Sequence, residues 1–191
     1  MRPWITFFSQ TGTEIHNLSN GLGIYPDLIV TNKSDLKGIN EGLLHTTQFR
    51  EQKLNKTILT FLPSKPVTGN YIKILNNFKN PLITLHGYLR IIPKEICERY
   101  EIYNLHPGLI NKYPSLKGFN PQERAFTSGH KDAGCVIHKV TPGVDEGEIV
   151  ASGEISIEDL TLAEVYTELH GCAFNVWKNF LTEYNIIQSE S

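Results

Sequence analysis

The sequence predicts an α/β protein with a doubly wound, mainly parallel sheet. Short apolar runs alternate with longer helix-like stretches along the 191 residues, which is the pattern of βαβ units. The short runs are also rich in β-branched and aromatic residues, as strands are. With 40% hydrophobic residues and no visible linker or repeat, we expect a single domain spanning residues 1–191.

The strands and helices are expected to alternate from the N-terminus onward. The predicted strands are Trp4 to Phe8, Asp27 to Thr31, Thr57 to Phe61, Leu82 to Leu85, Ile102 to His106, Cys135 to Val140 and Glu148 to Gly153. The predicted helices are Thr13 to Asn20, Asp35 to Leu43, Thr68 to Phe78, Pro93 to Tyr100, Pro121 to Ser128 and Leu162 to Tyr184. Thr161 and Glu164 form a capping-box pattern before the last helix, whose apolar residues recur every three or four positions.

Charge and cysteine content limit the classes of partner. The net charge is -2 and no block of Lys or Arg is present, so we expect no nucleic-acid or membrane partner and favour small molecules. The three cysteines form no Cys-x-x-Cys pair, and no apolar run approaches the ~18 residues of a membrane span. A cytoplasmic location is expected, as a monomer or homodimer.

A polar pair stands at the end of a predicted strand. Asn104 and His106 are two residues apart, so their side chains share one face, and Pro107 ends the strand. An amide N–H can stabilise an oxyanion while an imidazole moves a proton, which is what acyl transfer requires. A turn-capping asparagine beside an ordinary histidine remains the alternative from spacing alone.

A third candidate lies in a later loop. Asp145 follows a predicted strand in a segment with glycines at both ends, Gly143 and Gly147. A carboxylate near His106 would orient the imidazole and favour its protonated form. The alternative is an ordinary turn aspartate.

Three segments, in this order, resemble the folate-dependent formyltransferases, and within them the glycinamide ribonucleotide transformylase group. They are Gly87-Tyr-Leu-Arg-Ile-Ile-Pro93, Asn104-Leu-His-Pro-Gly-Leu-Ile-Asn-Lys-Tyr-Pro114 and His138-Lys-Val-Thr-Pro-Gly-Val-Asp-Glu-Gly147. The resemblance implies a Rossmann-like formyltransferase fold. It also implies that Asn104, His106 and Asp145 are the catalytic residues and that His138 lies near the site.

The same resemblance implies which residues hold the co-substrate, formyl-tetrahydrofolate, with no metal required. Two short segments would wall its pocket, largely through backbone groups: Tyr88, Leu89, Arg90, Ile91 and Ile92 in the first, and Val140, Thr141, Pro142, Gly143 and Val144 in the second.

The acceptor side departs from the family pattern. Substrate contacts would come from Thr11, Gly12, Thr13 and Glu14, where the family has a Gly-Asn-Gly-Ser-Asn phosphate loop, and from His170 on the last helix. A carboxylate at Glu14 would repel a phosphate if it faced the ligand, and Leu169 replaces the family's glutamate.

The expected activity is therefore formyl transfer to a primary amine, with glycinamide ribonucleotide in purine biosynthesis as the leading acceptor. Formylation of another amine, such as an amino sugar nucleotide, remains open. So do hydrolysis of the formyl folate and a folate-binding module without catalysis.

Overall fold

The computed structural model describes residues 1–188. Its contacts divide the chain into two compact units: unit 1 is Met1–Ile102 and unit 2 begins at Tyr103. The single domain expected from the sequence stays a prediction. None of the helices within residues 1–188 combines the length and apolar content needed to cross a membrane.

Unit 1 contains a parallel four-stranded sheet in the order β3-β2-β1-β4. Its strands are β1 (Trp4–Phe8), β2 (Leu28–Thr31), β3 (Leu59–Phe61) and β4 (Leu82–Leu85). Every residue of β1, β2 and β4 is buried, so both faces of this sheet are covered, as a doubly wound fold requires.

The helices of unit 1 are α1 (Thr13–Leu22), α2 (Glu41–Leu54), α3 (Thr68–Leu75) and α4 (Lys94–Arg99). One core cluster packs Phe8 and Ile29 of the sheet against Ile15 and Leu43 of α1 and α2. An aromatic contact joins Phe7 of β1 to Tyr71 of α3, with ring centroids 6.1 Å apart.

The predicted helix at Asp35 to Leu43 is wrong. The Asp35 carboxylate accepts the N–H of Lys37 in a turn, and Gly38 has a φ of +76°, which no helix tolerates. The helix begins instead after Asn40, whose side-chain oxygen accepts the N–H of Leu43 at 3.0 Å.

Unit 2 is an antiparallel sheet in the order β5-β6-β7. Its strands are β5 (Glu101–His106), which begins two residues before the unit boundary, β6 (Asp132–Lys139) and β7 (Ile149–Ser156). Residues 140–148, which connect β6 to β7, are too few for a crossover helix, and the two strands pair as an antiparallel hairpin.

Two helices and one 3-10 turn complete unit 2: α5 (Pro121–Thr127), α6 (Leu162–Glu183) and the turn Pro114–Leu116. Helix α6 packs on β6 and β7. Thr161 caps α6 by accepting the Glu164 N–H at 3.3 Å, and the Glu164 carboxylate accepts the Thr161 N–H at 2.7 Å, which confirms the predicted capping box.

Candidate active site

Strands β5 and β6 bring three polar side chains onto one face of unit 2. Asn104 of β5 pairs directly with His138 of β6, and His106 lies two residues further along β5. Asn104 is half-buried, and its side chain has no hydrogen-bond partner among residues 1–188. His106 and His138 are buried. The face predicted for Asn104 and His106 therefore also carries a second histidine.

Asp145 lies in the loop that joins β6 to β7 and contacts both histidines. Its Oδ2 atom is 3.2 Å from Nδ1 of His106, and its Oδ1 atom is 3.3 Å from Nε2 of His138. The Gly118 N–H donates to Oδ2 at 3.1 Å. Asp145 has a φ of +54°, a left-handed conformation that aspartate tolerates better than most residues.

The loop also depends on Gly147. A Cβ atom there would lie 1.6 Å from the carbonyl oxygen of Lys139, so no other residue fits without moving the hairpin. This close approach fixes the chain two residues after Asp145 and helps to hold the carboxylate beside the histidines.

The environment keeps Asp145 ionised. Burial raises the pKa of its carboxyl, but the contacts with His106, His138 and the Gly118 N–H outweigh burial and hold the pKa far below its usual range. The side chain exposes only 9% of its surface. A fixed negative charge therefore lies within reach of two imidazoles.

The other ring nitrogen of His106 also meets an acceptor. Its Nε2 atom is 2.8 Å from the carbonyl oxygen of Leu116. A carboxylate at Nδ1 and a carbonyl at Nε2 are both satisfied only by a ring that carries a proton on each nitrogen. This arrangement suits a histidine that donates a hydrogen bond or a proton.

Arg124 of α5 holds residues 115–119, the segment whose Leu116 carbonyl contacts His106. The guanidinium donates to the carbonyl oxygens of Leu116 at 3.1 Å, Lys117 at 2.8 Å and Phe119 at 2.8 Å, and also to that of Ser115. Arg124 thus fixes the carbonyl that His106 contacts and the segment that supplies the Gly118 N–H.

Sequence reasoning missed Leu116, Gly118 and Arg124. The roles of Leu116 and Gly118 are played by backbone atoms, which no side-chain pattern reports. Arg124 looks like any arginine on a short helix. Gly118 has a φ of +85° and offered the one usable signal, because a glycine in a loop indicates a special backbone conformation.

The first predicted folate segment lies in unit 1 after Gly87, which has a φ of +68°. Tyr88 is buried, with its hydroxyl 2.6 Å from that of Tyr71, and burial raises its pKa. Leu89 and Ile91 are exposed, and Arg90 donates to the Ser64 carbonyl at 2.8 Å. Ile92 is buried. Leu89, Arg90 and Ile91 therefore have exposed side chains, two of which are aliphatic.

The second predicted folate segment lies in unit 2, in the loop that carries Asp145. Val140 is buried, while the Val144 side chain is 64% exposed. The Thr141 hydroxyl donates to the Gly143 carbonyl at 3.4 Å, which tightens the loop through Pro142.

The predicted acceptor loop, residues 11–14, lies in unit 1 at the start of α1. Gly12 is the N-cap residue, with a φ of +70°. Thr11 and Thr13 bond to each other: the Thr13 N–H lies 3.3 Å and its hydroxyl 2.9 Å from the Thr11 hydroxyl oxygen. A donor that an anion would use is therefore already engaged.

Glu14 is held by a buried hydrogen-bonded chain. Its Oε1 atom lies 2.6 Å from Nδ1 of His86, whose side chain is fully buried. Nε2 of His86 lies 2.7 Å from the Thr84 hydroxyl, which accepts the indole N–H of Trp4 at 2.9 Å. Glu14 therefore keeps a fixed position in the first turn of α1, with about half of its side chain exposed.

His170, the remaining predicted substrate residue, is exposed on α6 of unit 2, whereas Leu169 beside it is buried in a core cluster. The structure thus brings together Asn104, His106 and Asp145. The predicted folate and acceptor residues are divided between the two units.

Comparisons with known proteins identify the family of the chain. The model of the family described as formyl transferase matches residues 9–177. A methionyl-tRNA formyltransferase of Thermosipho melanesiensis is 26% identical over 170 residues, covering 88% of this chain and 54% of the relative. A phosphoribosylglycinamide formyltransferase of Bacillus subtilis is 36% identical over 92 residues, covering 47% of this chain and 46% of the relative. The chain spans about half the length of these curated relatives.

Solved structures share the fold. A phosphoribosylglycinamide formyltransferase from Campylobacter jejuni aligns with a TM-score of 0.75 at 21% identity, covering 96% of this chain and 97% of that one. One from Streptococcus pneumoniae aligns with a TM-score of 0.73 at 19% identity, covering 96% and 99%. The predicted doubly wound, mainly parallel α/β class is confirmed. With the family model matching most of its length, the chain belongs to the formyl transferase family.

Proposed function

We propose that the protein transfers a formyl group from formyl-tetrahydrofolate to a primary amine. The observation that carries this proposal is the arrangement of Asn104, His106 and Asp145 on one face of unit 2, with the carboxylate 3.2 Å from the imidazole. An unengaged amide, a buried imidazole and a fixed carboxylate are the groups that acyl transfer to an amine needs.

In the proposed mechanism, Asn104 donates its side-chain N–H to the formyl oxygen as negative charge develops there. His106 releases the Leu116 carbonyl and donates from Nε2 to the same oxygen. Asp145 keeps the ring oriented through Nδ1 and stabilises its protonated form. His106 gives its Nε2 proton to the departing folate nitrogen and takes up the proton lost by the attacking amine, while Asp145 stays ionised.

The residues present fit the folate co-substrate, which supplies the formyl group. In unit 1 the exposed aliphatic side chains of Leu89 and Ile91 offer apolar surface, and in unit 2 the exposed Val144 does so. The loop at residues 141–144 offers backbone donors and acceptors beside Asp145. These observations support the two segments as folate contacts.

For the acceptor, we propose glycinamide ribonucleotide and a place in purine biosynthesis as the first candidate. Its support is that the similar solved structures and the Bacillus subtilis relative are phosphoribosylglycinamide formyltransferases. The methionyl-tRNA formyltransferases among the relatives keep a tRNA-linked amine as a rival, although the net charge of -2 does not favour a polyanion.

A specific observation favours a second candidate, an amine whose phosphate does not meet α1. Glu14 places a carboxylate in the first turn of that helix, where its charge offsets the positive end of the helix dipole. The Thr13 N–H is also occupied by Thr11. An amino sugar nucleotide that presents its sugar hydroxyls to Glu14 fits this loop.

The test is the rate of folate absorbance change with formyl-tetrahydrofolate and each acceptor in turn. Turnover that requires glycinamide ribonucleotide would support the first candidate; turnover that requires an amino sugar nucleotide would support the second. Glu14→Gln separates them further, because it should lower KM only for an acceptor whose phosphate lies at α1. Donor consumption that no amine accelerates would contradict formyl transfer.

We also propose that the protein acts in the cytoplasm, where its cysteines, which lie far apart in the sequence, are kept reduced.

A further inference from the structure

Two thiols face each other on the side of β6 opposite to the candidate active site. Cys135 of β6 and Cys172 of α6 have their Sγ atoms 4.0 Å apart. Because side chains alternate along a strand, Cys135 points away from the face that carries His138. The pair therefore lies where α6 packs on the sheet of unit 2.

A glycine makes this close approach possible. Gly153 of β7 is the register partner of Cys135. A Cβ atom at Gly153 would lie 2.8 Å from Sγ of Cys172 and 2.6 Å from Cγ2 of Val176, both on α6. The missing side chain lets α6 lie close enough to the sheet to bring the two sulfurs together.

The two thiols differ in their exposure to solvent, and the pKa of the more exposed thiol is lowered. Cys135 is buried, whereas Cys172 is partly exposed. Hydrogen bonding from Cys135 lowers the pKa of the Cys172 thiol to about 7, against burial, which raises it. Cys172 is thus the accessible nucleophile, with Cys135 positioned to react with its oxidised form.

We propose that Cys135 and Cys172 form a reversible intramolecular disulfide when the protein meets a hydroperoxide. The Cys172 thiolate attacks the peroxide oxygen, which breaks the O–O bond and leaves a sulfenic acid. Cys135 then attacks that sulfur and forms the S–S bond, and the sulfenic oxygen departs as water. Two thiols lose two electrons and two protons, and hydrogen peroxide is reduced to two molecules of water.

The geometry allows this bond. The sulfurs must approach by about 2 Å, which rotation of the two side chains can supply. The disulfide would tie α6 to β6 and restrict the unfolded chain between residues 135 and 172, so the oxidised protein should unfold at a higher temperature.

The test treats the folded protein with hydrogen peroxide and follows intact mass, thiol count and thermal unfolding midpoint. We expect the mass to fall by two hydrogen atoms, a peptide linking Cys135 to Cys172, a raised midpoint, and full reversal by dithiothreitol. Cys97 is the internal control: it is buried, donates to the Ile92 carbonyl at 3.6 Å, and should keep its thiol.

Matched variants keep the proposal falsifiable. Cys135→Ser should stop the reaction at an oxidised Cys172 without a link, and Cys172→Ser should leave Cys135 as a thiol. Overoxidation of Cys172 in the wild-type protein with Cys135 still reduced would overturn the proposal, as would a disulfide between two chains. A wild-type protein left unchanged by peroxide that oxidises a free thiol standard would overturn it too.

Discussion

One carboxylate serves two histidines in the candidate active site. Asp145 uses a different oxygen for each, at 3.2 Å from His106 and 3.3 Å from His138. His138 also has Nδ1 3.1 Å from the Lys139 carbonyl. The two histidines therefore share one carboxylate, and loss of Asp145 removes a contact from each ring.

At the residue scale, Asn104 gives the sharpest kinetic prediction. In the proposed mechanism Asn104 donates to charge that develops only in the transition state, so in Asn104→Ala kcat should fall about 100-fold or more while KM for the folate changes little. Steady-state kinetics with both substrates measure this split. Asn111→Ala, an exposed asparagine beyond the strand, is the matched control and should keep normal turnover. A rise in KM with unchanged kcat would assign Asn104 to binding instead.

A second residue-scale prediction concerns acid stability. Since the contacts of Asp145 hold its folded-state pKa below the unfolded value of about 3.9, its stabilising contribution is present above that pH and is lost as the pH falls through the folded-state pKa. Asp145→Asn should lower the free energy of unfolding at pH 7 by about 1–2 kcal/mol, after allowance for partial solvent access.

Urea unfolding of both proteins at pH 7 and at pH 3 provides the measurement. The difference between wild type and Asp145→Asn should shrink at the lower pH, because Asp145 of the unfolded wild-type chain gains a proton there while the folded protein keeps the charge. An equal difference at both pH values would show that the carboxylate charge contributes nothing.

At the element scale, α5 positions residues 115–119 through the side chain of Arg124. Arg124→Ala removes the donor to four backbone carbonyls, so we expect a loss of about 1–3 kcal/mol in the free energy of unfolding and faster amide exchange at Gly118. Hydrogen exchange and urea unfolding measure these effects. Lys131→Ala removes an exposed ion pair with Glu158 and should change either quantity little. Unchanged exchange at Gly118 in Arg124→Ala would mean that another group orders the segment.

The packing of α6 on the sheet gives a second element-scale prediction. Gly153→Ala places a methyl group against Cys172 and Val176 and should cost about 1–3 kcal/mol. Gly171→Ala is the matched control: a Cβ atom there meets nothing within 4 Å, so alanine should stabilise α6 by about 0.5–1 kcal/mol. Urea unfolding compares the two variants, and similar effects of both would contradict the close contact at Gly153.

At the scale of the whole molecule, the sequence predicts most strands and half of the site for definite physical reasons. The strands of unit 1 are buried along their length, so each appears as a compact apolar run. Asn104, His106 and Asp145 could be proposed because strand ends and glycine-bounded loops are readable locally.

Other features depend on tertiary contacts and could not be read from the sequence. Helix α2 buries only Leu43 and Thr47, so it lacks the apolar stripe that reveals a helix. Arg124 donates to backbone carbonyls of the loop before α5, and Glu14 pairs with His86. No local sequence pattern connects these residues. The contacts of Arg124 hold the segment that His106 and Asp145 touch, while the strand ends decide where the candidate site lies.

The central claim, formyl transfer through Asn104, His106 and Asp145, is tested most directly by the rate of formyl transfer in Asp145→Asn. The substitution keeps the size of the side chain and removes the charge that stabilises protonated His106. With formyl-tetrahydrofolate and an acceptor that the wild-type protein uses, we predict a fall of about 100-fold or more in kcat with the fold intact. Near-normal turnover in Asp145→Asn would contradict the account.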